Sequence, residues 1–297
     1  MNDPMQTTHT SEHYGTGKTV ENFPVASRLI APSLRAPILA YYRFARAADD
    51  IADHPTLAPE MKFELMEGLE ATLLGRRDVD PAARPLREQI QARGLSPQHA
   101  LDLLTAFRQD VTQRRYSDWD DLMNYCRYSA MPVGRFVLEV HGESRDAWQA
   151  SDPLCAALQV INHLQDCARD YRALDRVYLP LDSMQAHGLT VQALAEPRAS
   201  PALLACLRDV ARKSAALLPQ SGQLPRLVRD LRLGTETAVI VAVARKLTGW
   251  LLTRDPLSEP VHLSKAGALA LAVRAGAIEL ARRLGGAPRP ATHGTRP

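Results

Sequence analysis

The sequence predicts an all-α protein, and three observations carry that expectation. Alanine and leucine recur along the whole chain, and both favour helix. Aromatic residues make up only 5%. Runs of alternating β-branched residues are scarce, so strands have little to build on. Hydrophobic residues at 45% and charged residues at 23% give the balance of a globular protein.

In chain order, residues 1–18 are polar, lack an apolar signal core, and are expected to form a tail. Helical periodicity then runs near 33–54, 59–75, 82–93, 96–115, 118–142, 151–174, 201–218, 221–253 and 262–284. Ser96-Pro97 starts a helix with a capping hydroxyl and a proline in the first turn, and Asp152-Pro153 repeats the device. Pro55, Pro180 and Pro256 punctuate segment ends. Residues 285–297 are rich in Gly and Pro and are expected to form a second tail. No composition shift marks a linker, so residues 19–284 are expected to form a single helical domain.

Several functions are disfavoured at once. A net charge of +3 predicts no nucleic-acid partner. Cys126, Cys155, Cys167 and Cys206 form no CxxC or CxxH pair, which argues against structural zinc, and they read as reduced intracellular thiols. No apolar run reaches the roughly 18 residues of a spanning helix. Ala238–Leu252 comes nearest but is broken by Arg245 and Lys246. The expected location is cytoplasmic. Gly15-Thr16-Gly17-Lys18-Thr19 imitates a phosphate-binding loop, but Glu12 stands where that loop needs glycine.

Two stretches carry chemistry. Asp49 and Asp53 are spaced i, i+4, so on a helix their carboxylates share a face and repel unless a cation lies between them. Asp50 points about 100° away. Arg46, one turn earlier, suits either a phosphate contact or a salt bridge to Asp49 or Asp50. Further on, Asn162, Asp166 and Asp170 recur at i, i+4, i+8, a stripe that runs back into apolar Leu158 and Leu154. Acids at the end of an apolar stripe suggest the mouth of a cavity. Alternatively, Arg169 and Arg172 neutralise these acids locally. If the two helices face each other, four carboxylates converge, and such an all-oxygen site favours Mg²⁺. Mg²⁺ completes its shell with phosphate oxygens, so a diphosphate is the natural ligand.

These residues resemble the squalene and phytoene synthase family over about residues 21–275. The resemblance rests on Arg46 with Asp49 and Asp53, on Asn162-x₃-Asp166-x₃-Asp170, and on Asp175-Arg176-Val177-Tyr178-Leu179-Pro180. It implies the isoprenoid-synthase helical bundle around a central apolar cavity. Within the family, four segments are similar to the hydroxysqualene-forming branch of bacterial hopanoid pathways: 21–27, 44–53, 125–136 and 263–265. That branch ionises presqualene diphosphate with Mg²⁺ and lets water capture the carbocation, without NADPH. Two or three Mg²⁺ ions are implied, held by Asp49, Asp53, Asn162, Asp166 and Asp170. By the same resemblance Arg46, Asn162, Lys265 and Tyr178 handle the diphosphate or substrate, Tyr128 takes part in catalysis, and Phe23 and Phe44 line the prenyl cavity. A bilayer-soluble substrate implies peripheral contact with the inner face of the membrane and with neighbouring pathway enzymes.

Two departures stand out. Gln165 replaces the arginine that many members carry before the second motif's first aspartate, which suggests a site for one diphosphate. Pro132 stands in the segment after Tyr128 and is expected to bend the helix. Competing readings are a presqualene diphosphate, squalene or phytoene synthase, or a non-catalytic lipid-binding or assembly factor on the same fold.

Overall fold

The computed structural model describes residues 30–286; the expected tail 1–18 lies outside the described residues, as does all but the first two residues of 285–297. The described residues form thirteen α-helices and no strand, only an isolated bridge between Arg115 and Val177. The helices are α1 Pro32–Ala52, α2 Pro59–Leu73, α3 Ala83–Arg93, α4 Gln98–Thr112, α5 Trp119–Ser129, α6 Met131–Val140 and α7 Trp148–Leu174. They continue with α8 Leu181–Ala186, α9 Pro201–Ala215, α10 Leu218–Ser221, α11 Leu224–Leu227, α12 Leu231–Leu251 and α13 Lys265–Leu284.

Three sequence expectations are corrected. The single helix over 118–142 is broken at Ala130 (φ −119°, ψ −48°), with Pro132 in the first turn of α6, where its missing N–H costs nothing. The long helix over 221–253 is three pieces. Asp230 caps α12 by accepting from the Leu233 N–H, and the Glu143 carboxylate accepts from the N–H groups of Arg229 and Asp230 at 2.8 Å each. Finally, α7 starts at Trp148 rather than at Asp152, because a 3-10 turn over Arg145–Ala147 feeds into it. Asp152 caps nothing; it accepts two hydrogen bonds from Arg135, at 2.8 and 2.5 Å.

Two apolar clusters hold the bundle. The smaller gathers α1 to α4 around Phe44, Met66, Leu69 and Leu104, and is joined by Phe136 and Val140 of α6. The larger surrounds α7, which packs against α5, α6, α9, α10 and α12. Gly134 brings α6 tightly onto α7: a Cβ there would collide with Ser151 Oγ and Cys155 Sγ. A buried leucine or phenylalanine contributes about 1.5–3 kcal/mol, so these clusters set where α1 and α7 stand across the bundle interior.

Candidate active site

Two cavities open side by side between α1 and α7. The first, about 330 Å³, is apolar and takes Ile38 and Tyr41 from α1, Leu154 and Leu158 from α7, and Leu233 and Ile240 from α12. The second, about 360 Å³, is a polar cleft that holds Arg46, Asp49 and Asp53 of α1 and Asn162, Asp166 and Asp170 of α7. Tyr42 and Ala45 border both. Each helix therefore runs from apolar to acidic in the same direction, as the spacing i, i+4 requires of residues on one face.

The four aspartates share the cleft, but among the described residues no three His, Cys, Asp or Glu side chains stand close enough to share one metal ion. Arginines sit among them instead. Arg46 donates to Asp49 Oδ2 at 2.6 Å and to Asp50 Oδ1 at 2.9 Å. Arg169 pairs with Asp166 at 2.7 Å and with Asp170 at 3.5 Å. The local neutralisation allowed by the sequence is thus present, although Arg172 takes no part and donates to the carbonyls of Ala195 and Glu196. Acidity still exceeds compensation. Burial, then Asp53, pushes the Asp49 carboxyl up to about 6 against the opposing Arg46. Burial, then Asp166, pushes Asp170 up to about 6 despite Arg169. Carboxyls crowded in this way favour an added cation, and an all-oxygen set with two carboxylates on each side suits a hard divalent ion.

Behind the acids lies a group in which sequence reasoning gave a role to Tyr178 alone. Asp175 ends α7 in the left-handed region (φ 51°) and turns the chain back. The Val177 N–H then donates to the Arg114 carbonyl at 2.9 Å. In this extended segment Arg176 and Tyr178 fall on one side, facing the cleft, while Val177 joins the core. Arg176 Nη1 stands 2.6 Å from Asp53 Oδ1, and Nη2 donates to the Asp110 carbonyl at 3.1 Å. Asp110 is 6% exposed and accepts from Tyr125 at 2.9 Å and from Tyr178 at 3.4 Å. His163 stacks on Tyr178 with ring centres 3.5 Å apart, and burial lowers its pKa to about 3, so it is neutral. The signal for Asp110 was available. It continues the apolar stripe of Leu103, Ala106 and Phe107 on α4, where an acid has no business being solvated.

Other expected site residues fall elsewhere. Phe44 is fully buried in the smaller cluster and lines neither cavity, because its face of α1, shared with Ala48 and Ala52, turns towards that cluster. Tyr128 is half-buried against the larger cluster and lines neither cavity; Tyr125, three residues earlier, faces the cleft. Lys265 is exposed at the first turn of α13, outside both linings. Gln165 turns away from the cleft and donates to the Val261 carbonyl. Phe23 lies outside the described residues.

Known proteins resemble this chain over most of its length. The Squalene/phytoene synthase family matches residues 17–266. A hydroxysqualene synthase from Rhodopseudomonas palustris is 54% identical, over 90% of this chain and 92% of its own. One from Zymomonas mobilis is 48% identical over 90% of each. A phytoene synthase from Pseudescherichia vulneris is 32% identical over 69% of this chain and 70% of its own. Among solved structures, a squalene synthase from Alicyclobacillus acidocaldarius aligns with a TM-score of 0.63 at 28% identity, covering 87% of this chain and 86% of that one. A dehydrosqualene synthase shares the fold with a TM-score of 0.71 at 22% identity, over 84% and 88%. An acid-walled cleft beside an apolar cavity is what a prenyl diphosphate requires, and the chain belongs to the squalene/phytoene synthase family, whose members process such substrates.

Proposed function

We propose that this protein converts presqualene diphosphate and water into hydroxysqualene and diphosphate, with Mg²⁺ and without NADPH. The observation that carries the reading is the position of the apolar cavity directly beside the acidic cleft, with Tyr42 and Ala45 bordering both. Prenyl chains lie in the first and the diphosphate in the second. Mg²⁺ held by Asp49 and Asp53 on one side and by Asp166, Asp170 and Asn162 on the other would neutralise the departing diphosphate. Arg46, Arg169 and Arg176 line the same cleft and present guanidinium donors that match phosphate geometry. The apolar walls keep bulk water from the carbocation. Relatives named hydroxysqualene synthase at 48–54% identity support the choice of product.

The proposal includes one domain over residues 19–284, supported by Phe136 and Val140 of α6 entering the smaller cluster while Leu138 enters the larger. It also includes cytoplasmic placement with peripheral contact at the inner face of the membrane, and neighbouring pathway enzymes as partners. No helix of the described residues is long and apolar enough to cross a membrane. Leu269, Val273, Leu280 and Leu284 of α13 are exposed and share one face of the helix, which a bilayer surface would cover.

The test is incubation with presqualene diphosphate and Mg²⁺ without NADPH, in parallel with farnesyl diphosphate, read by gas chromatography and mass spectrometry with an EDTA control. Hydroxysqualene from the first substrate, lost with EDTA, is expected. Presqualene diphosphate formed from farnesyl diphosphate would move the protein to a condensing role. No product from either would leave a lipid-binding or assembly role.

A further inference from the structure

We infer that Asp110 is the positioning residue that receives, through Tyr125 or Tyr178, the proton released when water captures the carbocation. The inference rests on the proposed function and deepens it. Capture of a cation by water forms a C–O bond from an oxygen lone pair and leaves an oxonium. The neutral alcohol appears only when that oxonium loses a proton. An apolar cavity beside a cation offers no bulk water to take it.

The wall of the cleft supplies the route. The hydroxyls of Tyr125 and Tyr178 both donate to the Asp110 carboxylate, one to Oδ2 at 2.9 Å and the other to Oδ1 at 3.4 Å. Both tyrosines and Asp110 line the cleft. In the step inferred, the oxonium proton passes to a tyrosine oxygen as that tyrosine's own proton passes to Asp110. The sum is carbocation plus water giving alcohol plus protonated Asp110. No oxidant or reductant enters. Proton transfer by a positioned group accelerates such steps by about 10²–10⁴-fold.

The surroundings suit a group that both gains and loses a proton. Arg176 bonds the Asp110 backbone carbonyl, and its other nitrogen faces Asp53. Burial pushes the Asp110 carboxyl up to about 7, with Arg176 and the Tyr125 hydrogen bond opposing and with Asp53 and Asp49 adding to the rise. His163, stacked on Tyr178 from α7, is neutral and does not compete for the proton in this range. Tyr116, stacked on Tyr178 at 5.4 Å, is held well above the usual phenol range by burial and also remains neutral.

The test gives presqualene diphosphate to the wild type, Asp110→Asn, Tyr125→Phe and Tyr178→Phe, and measures diphosphate release and hydroxysqualene in one reaction. Asparagine keeps an acceptor for the tyrosines but takes no proton. In Asp110→Asn, hydroxysqualene is expected to fall at least about tenfold further than diphosphate release, and one tyrosine variant should reproduce that split. Loss of both quantities in equal measure indicates a purely structural role and overturns the inference. The wild type alone provides a second reading that needs no variant to fold. Hydroxysqualene per diphosphate released should fall as pH is lowered through about 7, because a protonated Asp110 accepts nothing. A flat ratio overturns the inference. Absence of hydroxysqualene from the wild type at any pH overturns the proposed function together with it.

Discussion

The two aspartate pairs share a spacing and a cleft but not a mode of attachment to the protein. Asp166 and Asp170 on α7 are both met by Arg169, a residue of the same helix whose side chain is 56% exposed. Asp53 on α1 is met by Arg176, whose side chain is 9% exposed and which arrives from the segment after α7 while also holding Asp110. The α7 pair is therefore met by an exposed cation that an incoming diphosphate can recruit at little cost. On α1, Asp53 is fixed by a buried guanidinium that links it to the tyrosine cluster, whereas Asp49 pairs with the part-exposed Arg46 of its own helix. Identical motifs in a sequence can thus differ in how much of the fold depends on them.

Arg176→Ala should break this comparison with the largest effect. It leaves Asp53 and the Asp110 carbonyl without their partner, and because the Asp53 side chain is 34% exposed, solvent screens part of the loss, which should be about 1–3 kcal/mol. Chemical denaturation should show that loss, with diphosphate release falling in the surviving folded fraction. Arg169→Ala should leave stability within about 1 kcal/mol, as expected for an exposed pair, and appear instead as a several-fold higher KM. Equal destabilisation by the two variants would contradict the difference described.

The pH dependence sharpens the same contrast. Asp49 and Asp170 have carboxyls raised to about 6 from 3.8. A raised acid favours the fold while protonated, so this contribution is present in full below about 4 and lost as pH rises through about 6. Without divalent cation, wild type should therefore lose stability relative to Asp49→Asn between these values. The Asp49 side chain is 34% exposed, so solvent screening holds the effect to about 1 kcal/mol or less. Added Mg²⁺ should abolish it, as thermal unfolding in EDTA and in Mg²⁺ would report. The smallest effects belong to Lys265→Ala and Tyr128→Phe, which lie outside both cavities. Each should change turnover by no more than about twofold, since surface and peripheral substitutions are worth about 0.5 kcal/mol.

Much of this arrangement was legible from side-chain period alone. Helical repeats at i, i+4 placed Asp49 with Asp53, and Asn162 with Asp166 and Asp170, and the run back into Leu154 and Leu158 marked the cavity. Period does not say which neighbouring arginine reaches which acid, because that depends on where the chain returns. Arg176 comes back only through the left-handed turn at Asp175 and the bridge to Arg115. Tyr125 and Tyr128 are three residues apart on α5 and so about 60° apart around it, and the packing of α5, which the period does not give, puts Tyr125 in the cleft. Phe44 was misplaced for a related reason. An aromatic one residue from a cavity face looks the same in sequence as one on it, until the neighbouring helices are known to occupy its side.

The central claim is that the α1 and α7 acids act as one site. A double-mutant cycle with Asp53→Asn, Asp166→Asn and the pair together, read as Mg²⁺-dependent diphosphate release from presqualene diphosphate with helicity checked by circular dichroism, tests it most directly. Groups that work as a unit lose nearly as much singly as together. Each single variant is therefore predicted to lose at least about 10²-fold, with the double variant little worse. Near-normal release by either single variant, or losses that simply multiply, would contradict a shared site.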